Sequence, residues 1–268
     1  MTTTTTTTTL SMTDKGEGDP VVLLHSGGMS SRQWRLLGDV LSARWRVIAP
    51  DLPGCGANPA FVDDSGFVMQ HDVDALLASL PDAGPAHFVG HSYGGILALK
   101  IAQQQPARVR SLALYEPPAW GVLREPEDHE ALAELAALER DGLVDDAAGG
   151  AEPWLRGFVD FWNGAGAWDR MPEPGRAAFL EVGRKLYREV RSIVADRTPA
   201  SAYASITLPT LLLSGAVSPL PERRVMARLA EAIPRAQSVT FEKAGHMGPL
   251  THAADVNDAI AHHLAFVR

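Results

Sequence analysis

A serine with a glycine two positions away on each side, Gly90-His91-Ser92-Tyr93-Gly94, and a histidine in Gly245-His246-Met247 are the residue types that pair into a nucleophile and its base. A serine hydroxyl reacts poorly unless an adjacent base takes its proton. The G-x-S-x-G spacing suits a hydroxyl projected from a sharp strand-to-helix turn, because bulk at the flanking positions would block both the turn and the substrate. Of the nine histidines, His246 is the candidate base, since it follows the last strand pattern in the chain order nucleophile, acid, base. His252 is its nearest competitor. His87 falls in a strand, His71 and His129 at polar helix starts, and His262 and His263 on a terminal helix expected to face solvent. His25 belongs to another loop, and His91 is expected to face along the turn. An oxyanion formed at Ser92 needs two backbone donors. The Tyr93 N–H follows the nucleophile directly, and Gly27 offers the second from the His25-Ser26-Gly27-Gly28 loop.

The elements that must hold these groups alternate between strand and helix. Val21–Leu24, Trp45–Ala49, Ala86–Val89, Val109–Tyr115, Thr210–Leu213 and Ser238–Phe241 are short apolar runs bounded by Gly, Pro or polar turns. Between them, helical spacing marks 30–42, the Val73/Leu76/Leu77/Leu80 face, 94–105, 221–232 and 253–267. This alternation predicts an α/β fold, a mostly parallel sheet covered by helices on both faces. From 119 to 205 strand signals vanish, and helices are expected near 127–141, 152–163 and 174–196. The expected organisation is a core of 1–118 and 206–268 with 119–205 as a helical cap. Within that cap Trp154, Phe158, Phe161 and Trp162 recur at spacings that line one helix face. The stripe is either core between cap and sheet or the apolar wall of a substrate pocket.

Composition narrows the function classes. The 268 residues are 46% hydrophobic and 21% charged, with a formal net charge of −8 and no basic block. Nucleic acid and anionic membranes are therefore not expected partners. No apolar run reaches the roughly 18 residues of a membrane span. The eight threonines Thr2–Thr9 have no basic or apolar core, so they do not read as a secretory signal; β-prone Thr suggests at most an edge strand leading into Met12. One cysteine, Cys55, allows no intrachain disulfide and suits a cytoplasmic location. No His/Asp/Glu cluster has metal-ligand spacing, and Gly27-Gly28 lacks the rest of a phosphate or dinucleotide loop, so no metal and no cofactor are expected.

Leu24-His25-Ser26-Gly27-Gly28, Pro50-Asp51-Leu52-Pro53-Gly54-Cys55-Gly56, the Ser92 turn, Leu114-Tyr115-Glu116-Pro117-Pro118, Leu211-Leu212-Leu213-Ser214-Gly215 and Gly245-His246 together resemble the α/β-hydrolase family over nearly the whole chain. The family usually has His-Gly where this chain has His25-Ser26. The resemblance also implies an acid three residues after Gly215, but Ser218 stands there, and a serine carries no charge to stabilise an imidazolium. Some members place the acid after the strand that follows the nucleophile turn, which makes Glu116 the candidate, with Asp196 and Asp51 as weaker alternatives. Ser218→Ala is then expected to be nearly silent. Asp51 is expected to stiffen its own turn instead. The implied chemistry is acyl transfer to water by a Ser92–His246–Glu116 triad, acting on a small ester or lactone of apolar character. A cofactor-free perhydrolase or haloperoxidase, a C–C bond hydrolase and a non-catalytic ligand-binding member share the same frame. Oligomeric state, a homodimer included, is left open.

Overall fold

A computed structural model describes residues 9–82 and 84–267. The suggested edge strand in the threonine run falls on residues 2–8, outside the described residues. The first strand instead forms from Met12–Lys15 (β1), antiparallel to β3 (Arg46–Pro50), with Met12 opposite Pro50 and Lys15 opposite Val47. The remaining strands, β2 (Pro20–Leu24), β4 (Ala86–His91), β5 (Val109–Tyr115), β6 (Thr210–Gly215) and β7 (Ala236–Phe241), run parallel in the order β1-β3-β2-β4-β5-β6-β7.

Side chains along each central strand alternate between two apolar layers, as the two-residue pleat requires. Val22, Leu24, Ile48, Leu112, Leu114 and Leu212 face one layer, which is closed by helices α2 (Met69–Ser79), α3 (Tyr93–Gln104) and α8 (Leu220–Ala232). Val21, Leu23, Val47, Ala113, Leu211 and Leu213 face the other, closed by α1 (Arg35–Leu41) and α10 (Ala253–Phe266). Both faces are buried, which is why these strands read as continuous apolar runs. The expected exposure of α10's histidines holds only in part: His263 is buried, and that burial pushes its imidazole down to about 4.

Between β5 and β6 the chain forms α4 (His129–Arg140), α5 (Glu152–Asn163), a single turn α6 (Ala167–Arg170) and the 23-residue α7 (Glu173–Ala195). Trp154, Leu155, Val159, Trp168, Leu186, Tyr187 and Val190 give these helices a small core of their own. Trp162 and Ile193 instead join the main core, so the layer is seated on the sheet rather than hinged off it. A short helix α9 (Gly248–Thr251) precedes α10. No helix among the described residues is long and apolar enough to cross a membrane.

Candidate active site

The turn from β4 into α3 puts Ser92 at φ 53, ψ −119. A Cβ on Gly90 would stand 2.7 Å from the Gly94 carbonyl oxygen, and one on Gly94 would stand 2.5 Å from those of Leu24 and His25. The turn closes this tightly only because both positions are glycine. Among the described residues, Ser92 and Glu116 (φ 45) are the two non-glycine residues with positive φ. Left-handed backbone at such residues costs roughly 1–3 kcal/mol each and concentrates where function demands a fixed direction. Here it marks the serine and the carboxylate that sequence reasoning singled out.

Those two side chains meet the same imidazole. His246 Nε2 lies 3.0 Å from Ser92 Oγ, and His246 Nδ1 lies 2.8 Å from Glu116 Oε2. Glu116 is fully buried at the end of β5, and its other oxygen, Oε1, accepts from the Gly215 N–H at 2.7 Å and the Ser218 hydroxyl at 2.6 Å. A carboxylate holding two donors on one oxygen keeps the other aimed at the ring. Ser218 therefore has a role that the sequence did not predict: it steadies the carboxylate from the neighbouring strand end. Its position, where the family pattern expects an acid, was the signal. The expectation that Ser218→Ala is nearly silent is revised accordingly. Asp51, the weaker candidate, is occupied as expected in its turn, accepting from the Ser31 and Ala57 N–H groups at 2.7 and 2.9 Å. Asp196 pairs with Lys100 at 2.7 Å.

A second carboxyl lies behind the first. Glu222 on α8 is fully buried, and burial together with the Glu116 charge holds it well above the usual carboxylate range. With the folded pKa raised above the ordinary 4.5, stability present below that value is lost as pH rises toward the folded pKa. Glu222→Gln is therefore expected to raise the melting temperature over wild type, with a gain larger at pH 8 than at pH 5. A gain that does not change with pH would contradict the protonated state of Glu222.

His91 links the base loop to the loop after β2. The Ser26 N–H donates to Gln33 Oε1 at 3.0 Å, so the Gln33 amide NH2 faces His91 Nδ1 at 3.1 Å. His91 must then carry its proton on Nε2, which donates to the His246 carbonyl at 2.8 Å. Burial keeps this ring neutral, well below 6.5. The arrangement holds Gly27 and Tyr93 beside Ser92. A Cβ on Gly27 would lie 3.7 Å from that of Tyr93, and among the described residues neither backbone N–H has a hydrogen-bond partner.

Ser92, His246, Gly27 and Tyr93 open into a cavity of about 360 Å³ roofed by residues of α5, α6 and α7. Of the expected aromatic wall, Phe158 and Trp162 line it. The Trp162 ring stacks on His246 with centroids 3.8 Å apart, and stacks in turn on Trp120 at 6.3 Å. Trp154 and Phe161 do not line this cavity. Trp154 packs against Tyr187 and donates its indole N–H to the Leu143 carbonyl at 2.9 Å, and Phe161 packs against Trp162 from outside the cavity. A face four residues long is wider than the strip of α5 that meets the cavity, so the remaining aromatics serve packing between helices. Glu189, also buried in the cavity wall, was not singled out from the sequence.

A profile of the Alpha/beta hydrolase family matches residues 21–259. A pimeloyl-[acyl-carrier protein] methyl ester esterase of Aromatoleum aromaticum is 32% identical over 88% of this chain and 94% of its own length. Among solved structures, a thermophilic esterase from Thermogutta terrifontis superposes with a TM-score of 0.70 at 25% identity, covering 96% of this chain and 93% of that one. The enol-lactonase from Burkholderia xenovorans superposes at 0.68 and 21% identity, covering 96% of each chain. A parallel sheet with one antiparallel edge strand, a serine on the β4–α3 turn and a histidine after the last strand are thus joined by similarity over almost the full length: this chain belongs to the alpha/beta hydrolase family.

Proposed function

We propose that Ser92, His246 and Glu116 act as nucleophile, base and acid in the hydrolysis of a small carboxylic ester or lactone. The protein is a carboxylic ester hydrolase of the serine type. The observation that carries the residue roles is the continuous hydrogen-bond chain from Ser92 Oγ through both His246 nitrogens to Glu116 Oε2.

In the first half-reaction Ser92 Oγ attacks the carbonyl carbon while His246 Nε2 takes its proton. The carbonyl oxygen, now anionic, receives the Gly27 and Tyr93 N–H groups. Glu116 stabilises the imidazolium and holds its Nδ1–H. The tetrahedral intermediate collapses, His246 returns the proton to the departing alkoxide, and an acyl-enzyme remains. Water then attacks the acyl carbon with His246 as base, and the acid leaves as Ser92 Oγ regains its proton. A lactone follows the same steps with the alcohol tethered to the acid. Residues 119–205 serve as a cap over the core of 1–118 and 206–268, with Phe158 and Trp162 as the apolar wall against the acyl or alcohol group. The similarity to proteins named as esterases and a lactonase supports this substrate class.

The test is a panel of p-nitrophenyl esters of increasing acyl length together with simple lactones, with active sites counted by a fluorophosphonate probe. Hydrolysis is expected to peak at short to medium chains, as a cavity of about 360 Å³ requires, and the probe's mass is expected on the peptide containing Ser92. Absence of both turnover and labelling would remove the proposal.

A further inference from the structure

The cavity wall contains one polar atom that the hydrolytic steps leave unused. Glu189 on α7 is 1% exposed. Its Oε1 accepts from Lys185 Nζ at 2.8 Å, and Lys185 also donates to Asp72 Oδ2 at 2.6 Å, where the Tyr93 hydroxyl donates at 2.7 Å. Lys185 thus already has Asp72 as its counter-charge, and Asp72 is the better held of the two carboxylates. Glu189 Oε2 has no hydrogen-bond partner among the described residues. It lies 2.6 Å from where a Cβ on Gly27 would be, beside the proposed oxyanion donors. A buried carboxyl oxygen without a partner is costly, and Glu189, unlike Glu222, lines the cavity, where a ligand can complete it.

We propose that Glu189 Oε2 is a specificity-determining contact that selects esters or lactones bearing a hydroxyl group on the acyl carbons nearest the scissile carbonyl. The inference rests on the ester-hydrolase reading and deepens it. The charged groups bonded within this cluster are Lys185 and Asp72, which offset one another, and the cavity's guanidinium, Arg170, is carried by α6 rather than by the cluster. Burial pushes the Glu189 carboxyl up to about 7. Near neutral pH it is present both as a carboxyl, which donates a hydrogen bond, and as a carboxylate, which accepts one. A hydroxyl satisfies either form, whereas a second carboxylate satisfies only the protonated one and a bare methylene satisfies neither. Glycine is required at position 27 because a Cβ there would stand 2.6 Å from Glu189 Oε2 and 2.9 Å from Leu186 Cδ1.

The experiment compares kcat/KM for methyl butyrate, methyl 2-hydroxybutyrate and methyl 3-hydroxybutyrate in wild type, Glu189→Gln and Glu189→Leu. Wild type is expected to prefer at least one hydroxylated ester by about tenfold or more, the scale of a buried hydroxyl contact. Glu189→Gln, which keeps a donor and an acceptor, is expected to retain most of that ratio. Glu189→Leu, or Glu189→Met if the leucine variant does not fold, is expected to bring it close to one. A structural role alone would lower all three substrates together and leave the ratio in place, and that result overturns the proposal. A wild-type ratio at or below one overturns it without any variant. Hydrolysis of none of the three esters by an enzyme that turns over the p-nitrophenyl esters overturns this proposal alone, whereas absence of turnover and of fluorophosphonate labelling across the whole panel overturns the ester-hydrolase reading, so the two failures are distinct.

Discussion

Replacing Glu116 with Gln is expected to lower kcat by about 10⁴, the cost seen when a buried triad carboxylate becomes an amide of the same shape. The variant keeps the volume and the Gly215 contact, so the loss is electrostatic and tautomeric. A neutral amide cannot offset the imidazolium formed when His246 takes the Ser92 proton. If its NH2 faces Nδ1, the ring is also driven into the tautomer whose Nε2 carries the proton and cannot act as a base. Ser218→Ala removes only one of the two donors on Glu116 Oε1. A hydrogen bond to a charged group contributes about 1.5–3 kcal/mol, part of which the remaining Gly215 N–H preserves, so a loss of about tenfold is expected. Steady-state kinetics on a p-nitrophenyl ester decides the matter. A Glu116→Gln enzyme within tenfold of wild type, or one less impaired than Ser218→Ala, would mean that another group serves as the acid.

Ser92→Ala has the largest expected effect, a fall in kcat of about 10⁶ with complete loss of fluorophosphonate labelling. The residual rate reflects substrate binding and the Gly27 and Tyr93 donors, which the substitution leaves intact. Because alanine occupies φ 53 no more easily than serine, the backbone strain stays and the melting temperature is expected to change little. That combination separates a lost nucleophile from a damaged fold. Retained labelling in Ser92→Ala would place the reactive hydroxyl elsewhere and undo the assignment of the β4–α3 turn.

Much of this protein is legible along the chain because its determinants are short-range. The strands announce themselves as apolar runs because both faces of the sheet are covered, and helical spacing marks α5 near 152–163, where the structure has it. β1 was not bounded, since Met12-Thr13-Asp14-Lys15 is an edge strand with two exposed side chains and no apolar run. Ser92 was readable from its glycines, whose absent side chains are a local steric demand, and His246 from its place after the last strand.

The rest depended on which strand ends are neighbours. Glu116 follows β5 and Ser218 follows β6, adjacent strands in the sheet, so the Ser218 hydroxyl donates to Glu116 Oε1 although more than a hundred positions separate them. The sequence by itself determined the fold and singled out the candidate nucleophile and base, and it narrowed the candidate acid to Glu116 and two weaker carboxylates. Only the tertiary structure decided that Glu116 reaches His246 with Ser218 as its support, that half of the α5 aromatic stripe is packing, and that two ordinary-looking helical glutamates, Glu189 and Glu222, are buried beside the site. The physical reason is that burial and charge pairing are properties of elements packed together. A helix turn carrying Lys185, Arg188 and Glu189 reads as a solvated face until α2, α3 and the loop after β2 meet Lys185 and Glu189, and Asp63 and Asp146 pair with Arg188.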